Sequence, residues 1–433
     1  MSTLKAVRGT RDLLPPETEL WNRIEATARS VFSRYGFGEI RTPVFEDTSL
    51  FARGVGADTD IVSKEMYTWE DRARAQSEKA QSLTLRPENT AGVVRAYIEH
   101  KLGDTGHLQK LYYIGPQFRR ERPQKGRYRQ FSQIGAEVIG PQSAGSESPL
   151  RDAEVLEMLA TLLDELGIGG WVLKLNSVGS ANDRPRYIEV LREALKPVVS
   201  QMCEDCQRRA VTNPLRVLDC KVPQDQPFID ALPKIADHLD EASQAHFAQV
   251  CAALDAAGVP YIRDHRLVRG LDYYTRTTFE FTHDAGLGTQ NALLGGGRYD
   301  GLSEAIGGPK APGIGFAMGE DRLVLTLQAQ EQAKAALLDA YIAPLGEAQN
   351  ADALKLAREL RRSGLRIELG DGSFRLKKSF EAGDRVARRI VLLGEDEVRS
   401  GILTVKDFAS GTQTKIARED LVAHLDAEQD LNS

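Results

Sequence analysis

The chain has 433 residues, and its 56 lysines and arginines against 62 aspartates and glutamates give a formal net charge of −6. That length predicts roughly two to four domains, and a composition of 41% hydrophobic and 27% charged residues excludes a disordered chain, a collagen and a coiled coil. No apolar run approaches the ~20 residues of a membrane span, and the first residues contain no apolar signal-peptide core. Four cysteines are too few for a disulfide framework in so long a chain, so we expect a reduced, cytoplasmic protein with no membrane partner.

Residues 1–330 are predicted to form an antiparallel sheet with flanking helices. Helical spacing of apolar residues predicts helices at 21–35, 90–101 and 150–166. Short β-type runs predict a hairpin around a polar loop at 72–82, and two longer strands at 111–118 and 128–139 around a basic loop. Further strands are predicted at 172–180, 277–281, 291–294 and 313–318, followed by a closing helix at 321–328.

Two segments depart from this pattern. Between about residues 181 and 262 prolines and helical segments dominate, which predicts a helical insertion in the first domain. A linker at 329–337 then precedes strands alternating with helices in residues 331–433, which is typical of a small α/β domain. The predicted fold class is therefore α+β.

The most informative segment is 118–131, FRRERPQKGRYRQF, which places six basic residues and one acid between Arg119 and Arg129. Such charge runs are usually solvated. Here Pro123 and Gly126 shape the loop and Phe131 anchors it. Because arginine forks bind phosphate oxygens in pairs, we favour a site for a triphosphate.

Three other segments have a composition that packing alone does not readily explain. In LVRGLDYY (267–274), Arg269 lies beside Tyr273 and Tyr274, although tyrosine pairs also fill ordinary cores. LLGGGRYDGL (293–302) contains three successive glycines, which permit close backbone approach. GIGFAMGEDRLVL (313–325) runs from a strand into a helix with Arg322 in its first turn.

Taken together, these motifs resemble the histidyl-tRNA synthetases of bacterial type, which are class II aminoacyl-tRNA synthetases. RTPVFEDTSLF (41–51) resembles the first class motif, at the dimer interface, and the segments beginning at 118 and 313 resemble the second and third. LVRGLDYY and LLGGGRYDGL are similar to the two histidyl signatures, and LTLRPENTAG (83–92) to the amino-acid-binding turn. The resemblance implies a class II catalytic domain with a C-terminal anticodon-binding domain.

The resemblance also implies roles for individual residues. Glu88, Thr90 and Gln133 would hold the α-ammonium of histidine, with Asn89 in the same turn. Glu137 and Tyr274 would bond the imidazole nitrogens, and Tyr273 would line the pocket. Arg119 and Arg269 would be catalytic residues that also contact histidine. ATP would be bound by Arg119, Glu121, Arg127, Phe131 and Arg322. The tRNA acceptor end would be contacted by Arg122, Gln124 and Lys125.

The implied reaction uses ATP as a substrate, with Mg²⁺, and its partners are histidine, tRNA(His) and a second copy of the chain. Ser132, Asn89 and Asp321 depart from residues usual in the family, which puts fine positioning in question but not the reaction. The alternative is a synthetase-like regulatory subunit of histidine biosynthesis that charges nothing. Such subunits typically lack the tail and the arginine of LVRGLDYY, both of which this chain has.

Cys203 and Cys206 form a C-x-x-C pair, and Cys220 follows. The spacing suits a tetrahedral zinc site. The fourth cysteine, Cys251, is far along the insertion, so we predict no metal ligands.

Overall fold

The structure is a computed structural model that describes residues 4–56, 59–71, 80–124, 126–284, 291–330 and 337–426. The chain divides into two compact units, Met1–Ala333 and Lys334–Ser433. Most of the loop predicted at 72–82, most of the linker predicted at 329–337, and Lys125 lie outside the described residues. Within the described ranges, no helix is long and apolar enough to cross a membrane.

The strands of the first unit form two sheets. They are β1 Gly38–Glu39, β2 Phe45–Asp47, β3 Tyr67–Asp71, β4 Gln81–Leu85, β5 Gln109–Phe118, β6 Gln130–Ile139, β7 Val172–Ser177, β8 Ile262–Arg263, β9 Thr275–Thr282, β10 Ala292–Arg298 and β11 Gly313–Gly319. Eight of them form one sheet in the order β1-β5-β6-β11-β10-β9-β7-β8. Neighbours are antiparallel except at its two ends, where β1–β5 and β7–β8 are parallel. Strands β2, β4 and β3 form a separate antiparallel sheet.

Helices cover one face of the large sheet. The helices of this unit are α1 Glu17–Arg34, α2 Thr48–Gly54, α3 Thr90–Glu99, α4 Pro149–Glu165, α5 Asp183–Leu195, α6 Glu204–Thr212, α7 Gln226–Asp230, α8 Glu241–Ala257, α9 Leu302–Ala305 and α10 Glu320–Gln330. The main core lies between α1, α4, α8 and the sheet, where Phe32, Leu159 and Val250 are buried with Phe316. Ile134 and Ala136 of β6 face this core, so Gln133 and Glu137 face the opposite side of the sheet.

The insertion between β7 and β9 has a core of its own. Helices α5, α6 and α7 and several short 3₁₀ turns bury Tyr187, Leu191, Cys206, Leu215 and Ile229. Asp183 fixes this region internally, since its buried carboxylate accepts from Ser243 Oγ (2.7 Å) and from the backbone N–H of Asp240 (3.0 Å). Helix α8 returns to the main core, where Cys251 packs.

The second unit is the predicted α/β module. Its strands are β12 Ala340–Pro344, β13 Ile367–Leu369, β14 Arg389–Leu393, β15 Ile402–Asp407 and β16 Gln413–Ala417, and its helices are α11 Asn350–Arg362, α12 Leu376–Val386, α13 Glu395–Ser400 and α14 Leu421–Asp426. The sheet order is β13-β12-β14-β15-β16. The first three strands are parallel and the last two antiparallel, so the sheet is mixed. The predicted α+β fold class is confirmed.

Candidate active site

Two buried carboxylates lie on either side of Thr90, at the N-terminus of α3. Glu88 accepts from the backbone N–H groups of Thr90 (2.8 Å) and Ala91 (3.0 Å). Glu137, fully buried on β6, accepts from Thr90 Oγ1 (2.7 Å) and from the Tyr299 hydroxyl (2.7 Å). Burial raises the pKa of Glu88 above its usual value and raises that of Glu137 to about 8. The site therefore holds two carboxyl groups for which a cationic or hydrogen-bonding ligand is favourable.

Glu137 has room only because its neighbour on β11 is Gly315. The two residues pair across the sheet, and a Cβ on Gly315 would overlap the Glu137 carboxylate. Gly315, the second glycine of GIGF, is therefore required because it leaves space for the Glu137 side chain. Sequence reasoning identified this segment as a class motif but did not connect it with Glu137.

Aromatic rings close the same pocket. The rings of Tyr273 and Tyr274 lie 4.7 Å apart between centroids, and Tyr273 meets Tyr299 edge-on at 5.9 Å. Gln133 lies on β6, four positions before Glu137. Its side-chain oxygen is buried and has no hydrogen-bond partner among the described residues. A buried acceptor of this kind is costly unless a ligand or water satisfies it.

The three glycines of LLGGGRYDGL are strand residues rather than a loop. Each admits a different neighbour: a Cβ on Gly295 would overlap the Arg269 guanidinium, one on Gly296 the backbone of Gly315, and one on Gly297 would lie 2.8 Å from the Tyr274 ring. The glycine run therefore lets the LVRGLDYY segment, through Arg269 and Tyr274, pack directly on β10.

Two arginines lie near these groups, Arg119 near Glu88 and Arg269 near Tyr274. Arg119 follows β5 and donates from Nε to the Pro87 carbonyl (2.9 Å), and its guanidinium lies 5.2 Å from the Phe131 ring centroid. Arg269 pairs with Glu280 at 2.7 Å. The sequence analysis did not select Glu280. The only indication of it in the sequence is its place in the alternating pattern of side chains along strand β9.

A second pair of arginines lies close together near the same cleft. Arg322 donates to the Ala292 carbonyl, and its pKa is lowered first by burial and then by the positive charge of Arg127. Arg127 pairs with Glu121 at 3.4 Å. Two partly buried guanidinium groups that repel each other favour an anion between them, as the predicted phosphate site requires.

The basic loop itself turns tightly at its tip. Gln124 and Arg127 exchange two backbone hydrogen bonds (2.9 and 3.1 Å) across Gly126, whose φ of +74° is strained for other residues. Arg122 and Gln124 are exposed, so they are accessible to a large partner, while Lys125 lies outside the described residues.

Two side chains of the amino-acid-binding turn have structural partners. The amide oxygen of Asn89 accepts from Thr42 Oγ1 (2.6 Å), so its side chain contacts the segment before β2. Arg86, which sequence reasoning did not select, is also buried there and donates to the carbonyls of Pro116 (2.9 Å) and Thr42 (3.0 Å). Its position in LTLRPE was the available signal.

Comparison with known proteins agrees with this geometry. The family model described as histidyl-tRNA synthetase matches residues 9–323, and one described as anticodon binding domain matches residues 339–428. The chain belongs to the histidyl-tRNA synthetase family. The resemblance inferred from the motifs is thereby confirmed.

Relatives of this synthetase family align over nearly the full length. The chain is 70% identical to the histidine–tRNA ligase of Koribacter versatilis (strain Ellin345), over 98% of this chain and 96% of that protein. It is 56% identical to the histidine–tRNA ligase of Solibacter usitatus (strain Ellin6076), over 98% and 99%. Apo histidyl-tRNA synthetase of S. aureus has a similar structure, with a TM-score of 0.78 and 38% identity over 98% of this chain and 100% of that one.

Proposed function

We propose that this chain ligates histidine to tRNA(His), using ATP. The observation that carries the proposal is that two buried carboxyl groups, Glu88 and Glu137, lie close to arginines, with Arg119 near Glu88 and Arg269 beside the tyrosine pair. Histidine is complementary to this arrangement, because its ammonium and its ring face the acids and its carboxylate faces the arginines. The 70% identity to a histidine–tRNA ligase supports the same reaction.

In the proposed first step the histidine carboxylate attacks the α-phosphorus of ATP. An acyl–phosphate bond forms, the bond to the β-phosphate breaks, and histidyl-adenylate and pyrophosphate result. No general base is needed, because the carboxylate is already ionised at neutral pH. Arg119 and Arg269 position the reactants and offset the charge that develops on the phosphate. Arg127 and Arg322 bind the terminal phosphates, and Glu121 and Phe131 bind adenine.

In the proposed second step the 3′-hydroxyl of the terminal adenosine of tRNA attacks the activated carbonyl and releases AMP. The exposed side chains of Arg122 and Gln124, with Lys125, contact the acceptor end. Because tRNA and ATP are the substrates, we assign the enzyme to the cytoplasm.

The proposal includes Mg²⁺. Two carboxylates near the phosphate site already have cationic partners, since Glu121 pairs with Arg127 and Glu280 with Arg269. Magnesium commonly binds through one or two carboxylates plus substrate phosphates, so Glu280 is its candidate protein ligand, while Glu121 is assigned to adenine. Bound there, the ion would neutralise charge on the departing pyrophosphate.

Exposed aromatic residues support a homodimer through residues 41–51. Phe45 of β2 is 52% exposed and Trp69 of β3 is 40% exposed, and their rings meet edge-on at 6.0 Å. Exposed apolar clusters of this kind commonly mark interfaces. The resemblance of residues 41–51 to the first class motif supports a second copy of the chain as the occupant.

The second unit is assigned to the anticodon. Of the ten basic residues between positions 358 and 389, the exposed ones are Arg358, Arg361, Arg362, Arg366, Arg375, Lys377, Lys378 and Arg385. Arg389 does not belong to this set, because it is buried, donates to the Leu425 carbonyl (3.0 Å) and pairs with Asp407 (3.5 Å). The exposed set supports binding of a phosphate backbone.

The direct test is histidine-dependent ATP–pyrophosphate exchange, followed by charging of tRNA(His) with the same preparation. We expect exchange with histidine and not with other amino acids, and formation of histidyl-tRNA. Exchange without charging would restrict the function to activation. Histidine binding without exchange would favour the regulatory alternative and contradict the proposal.

A further inference from the structure

Three cysteines and an aspartate converge in the insertion. The side chains of Cys203, Cys206, Cys220 and Asp225 each offer one ligand atom, and these four atoms all lie within 4.8 Å of one another. The Sγ atoms of Cys203 and Cys220 are 3.9 Å apart, and Cys220 Sγ lies 3.3 Å from Asp225 Oδ2. Three of the four residues are buried, and Cys203 is partly exposed.

These separations match a tetrahedral metal centre. A metal–sulfur bond of about 2.3 Å and a metal–oxygen bond of about 2.1 Å imply S···S near ~3.8 Å and S···O near ~3.6 Å. The two observed distances of 3.9 and 3.3 Å are close to both values. They are far from the ~2.05 Å of a disulfide, and all four cysteines have free thiols.

The backbone fixes the four groups in these positions. The backbone N–H of Cys203 donates to Asp225 Oδ1 (3.0 Å), and that of Val222 donates to Cys220 Sγ (3.4 Å). Cys203 is the residue before α6, and Cys206 lies in the first turn of that helix. Such outer-shell hydrogen bonds orient ligands in known metal sites.

We propose that Cys203, Cys206, Cys220 and Asp225 bind one zinc ion tetrahedrally. Thiolate ligands in a closed tetrahedral set favour zinc over the harder magnesium and calcium ions, which prefer oxygen. With four protein ligands and no open position, the site is structural.

The proposed fourth ligand is a residue that the spacing of the cysteines does not indicate. Cys251, the remaining cysteine, packs in the main core with α8, away from this cluster. Asp225 follows Cys220 by five residues and is fully buried. A search for a fourth cysteine or a histidine therefore passes over the residue that completes the set.

The ion would stabilise the part of the insertion where helices are short. Between β7 and β9 the described chain consists of helices α5 to α8 and one two-residue strand, β8, and several 3₁₀ turns lie around the cluster. Cys206 and Cys220 belong to the same buried cluster as Tyr274. The zinc site and the LVRGLDYY segment therefore share one core, so loss of the metal should loosen both.

The competing interpretation is a metal-free cluster in which thiols donate hydrogen bonds to the Asp225 carboxylate. The two differ in metal content. The full-length protein should be prepared without a histidine tag and under reducing conditions, and its metals should be measured by inductively coupled plasma mass spectrometry. We expect one zinc ion per chain. Protein that stays free of zinc after incubation with the ion and gel filtration would overturn the proposal.

The zinc content of single-residue variants shows which side chains bind the metal. Cys206→Ser should abolish stoichiometric zinc, and Asp225→Asn should weaken zinc affinity by roughly 10-fold or more. Cys251→Ser, a buried cysteine outside the cluster, is the matched control and should retain one zinc ion. Folded Cys206→Ser with full zinc content would place the metal elsewhere and contradict the assignment.

Cobalt substitution keeps the test decisive where the Cys206→Ser protein does not fold. Wild-type protein exchanged into Co²⁺ should show thiolate-to-cobalt charge-transfer absorption and the intense visible bands of tetrahedral coordination. Zinc added afterwards should bleach both. Weak octahedral bands without charge transfer would show that the thiols do not ligate the metal.

Discussion

Arg269 depends on one glycine for its place in the site. Its guanidinium pairs with Glu280 (2.7 Å) in the space that a side chain at position 295 would fill. We predict that Arg269→Ala lowers adenylate formation by about 10²–10³-fold, the usual cost of losing a transition-state charge contact, while histidine binding is largely kept. Pyrophosphate-exchange kinetics near those of the wild type would contradict the assignment.

A glycine substitution tests the same role without removing the arginine. We expect Gly295→Ala to displace the Arg269 guanidinium and to reproduce part of its loss in exchange rate. Gly301→Ala in the same motif is the matched control, because a Cβ there would have nothing within 4 Å. Equal loss in both variants would mean that the motif is sensitive to substitution in general.

Glu137 is predicted to recognise the imidazole ring. In Glu137→Gln the amide can present its donor end to a ring N–H, and leaving that buried proton unpaired costs about 1–3 kcal/mol. The KM for histidine should therefore rise roughly 10–100-fold while the KM for ATP stays nearly constant. Equal changes in both constants would indicate a structural role.

The pH dependence of stability provides the control for this variant. Burial raises the pKa of Glu137 and of Glu320 to about 8. In the unfolded chain each carboxyl group loses its proton near the ordinary pKa of 4.5, whereas in the folded protein it keeps the proton up to a pH of about 8. The folded state therefore loses stability as the pH rises from 4.5 to about 8. Relative to wild type, Glu137→Gln and Glu320→Gln should both gain stability from pH 5 to pH 9, on the order of 1 kcal/mol or more. Denaturation curves at both pH values measure this gain, and only Glu137→Gln should alter the KM for histidine.

At this scale, sequence reasoning finds residues of unusual type but not residues whose partners are distant in the sequence. Charged or paired residues such as Arg269 and Tyr274 are visible because their types are unusual in an apolar segment. Tyr299, which donates to Glu137, and Asp225, which joins the cysteine cluster, are ordinary residue types whose partners are distant in the sequence. Only the register of the sheet and the packing of the insertion bring such pairs together.

Among the elements, helices and strands with clear apolar periodicity were predicted well. α1 begins at Glu17 rather than Trp21 because its first turn is polar, with Glu17 and Glu19 favoured by the helix dipole instead of by burial. β16 was missed because it is an edge strand with mostly exposed residues, so it has no alternation of apolar side chains. β10 continues to Arg298, through the three glycines, whereas the predicted strand ended at residue 294.

The small sheet β2–β4–β3 provides a prediction about assembly. If Phe45 and Trp69 pack against a second copy, Phe45→Lys should place a charge in the interface and shift the protein toward monomers. We expect lower mass by light scattering and, in parallel assays, loss of exchange activity from the monomer. The matched control is Leu354→Lys on α11, which changes a residue of similar exposure (55% against 52%) and should remain dimeric. A fully active wild-type monomer would contradict the homodimer.

At the scale of the whole molecule, composition indicates the class of protein but not the distribution of charge. A net charge of −6 argues against nucleic-acid binding by the bulk surface. The tail nevertheless exposes a local basic set on α11, α12 and the turns beside them. A partner that carries phosphates is therefore expected to contact this region.

That expectation can be tested by substitution before any deletion. Lys377→Ala on the exposed face of α12 should weaken tRNA binding and reduce its salt dependence by close to one phosphate contact. Arg399→Ala is the control, because Arg399 is also exposed but lies outside the basic set, in an acidic helix where it pairs with Glu395 at 2.6 Å, against 4.0 Å for Lys377 and Glu381. Filter binding across a salt series separates the two, and equal slopes for both variants would argue against the α12 face.

Deleting residues 331–433 is the stricter experiment. Every residue assigned to histidine, ATP and the arginine pairs lies in the first unit, which has its own core, so the truncated protein should still form histidyl-adenylate at close to the wild-type rate. Charging of tRNA should fall steeply, because the exposed basic set that would contribute phosphate contacts is gone. As salt rises, the intact protein should lose tRNA affinity, whereas the truncated protein should start weak and respond less. Pyrophosphate exchange serves as the internal control for folding of the same preparation. If charging survives at the wild-type rate while exchange is normal, the tail does not bind the anticodon and its assignment is wrong.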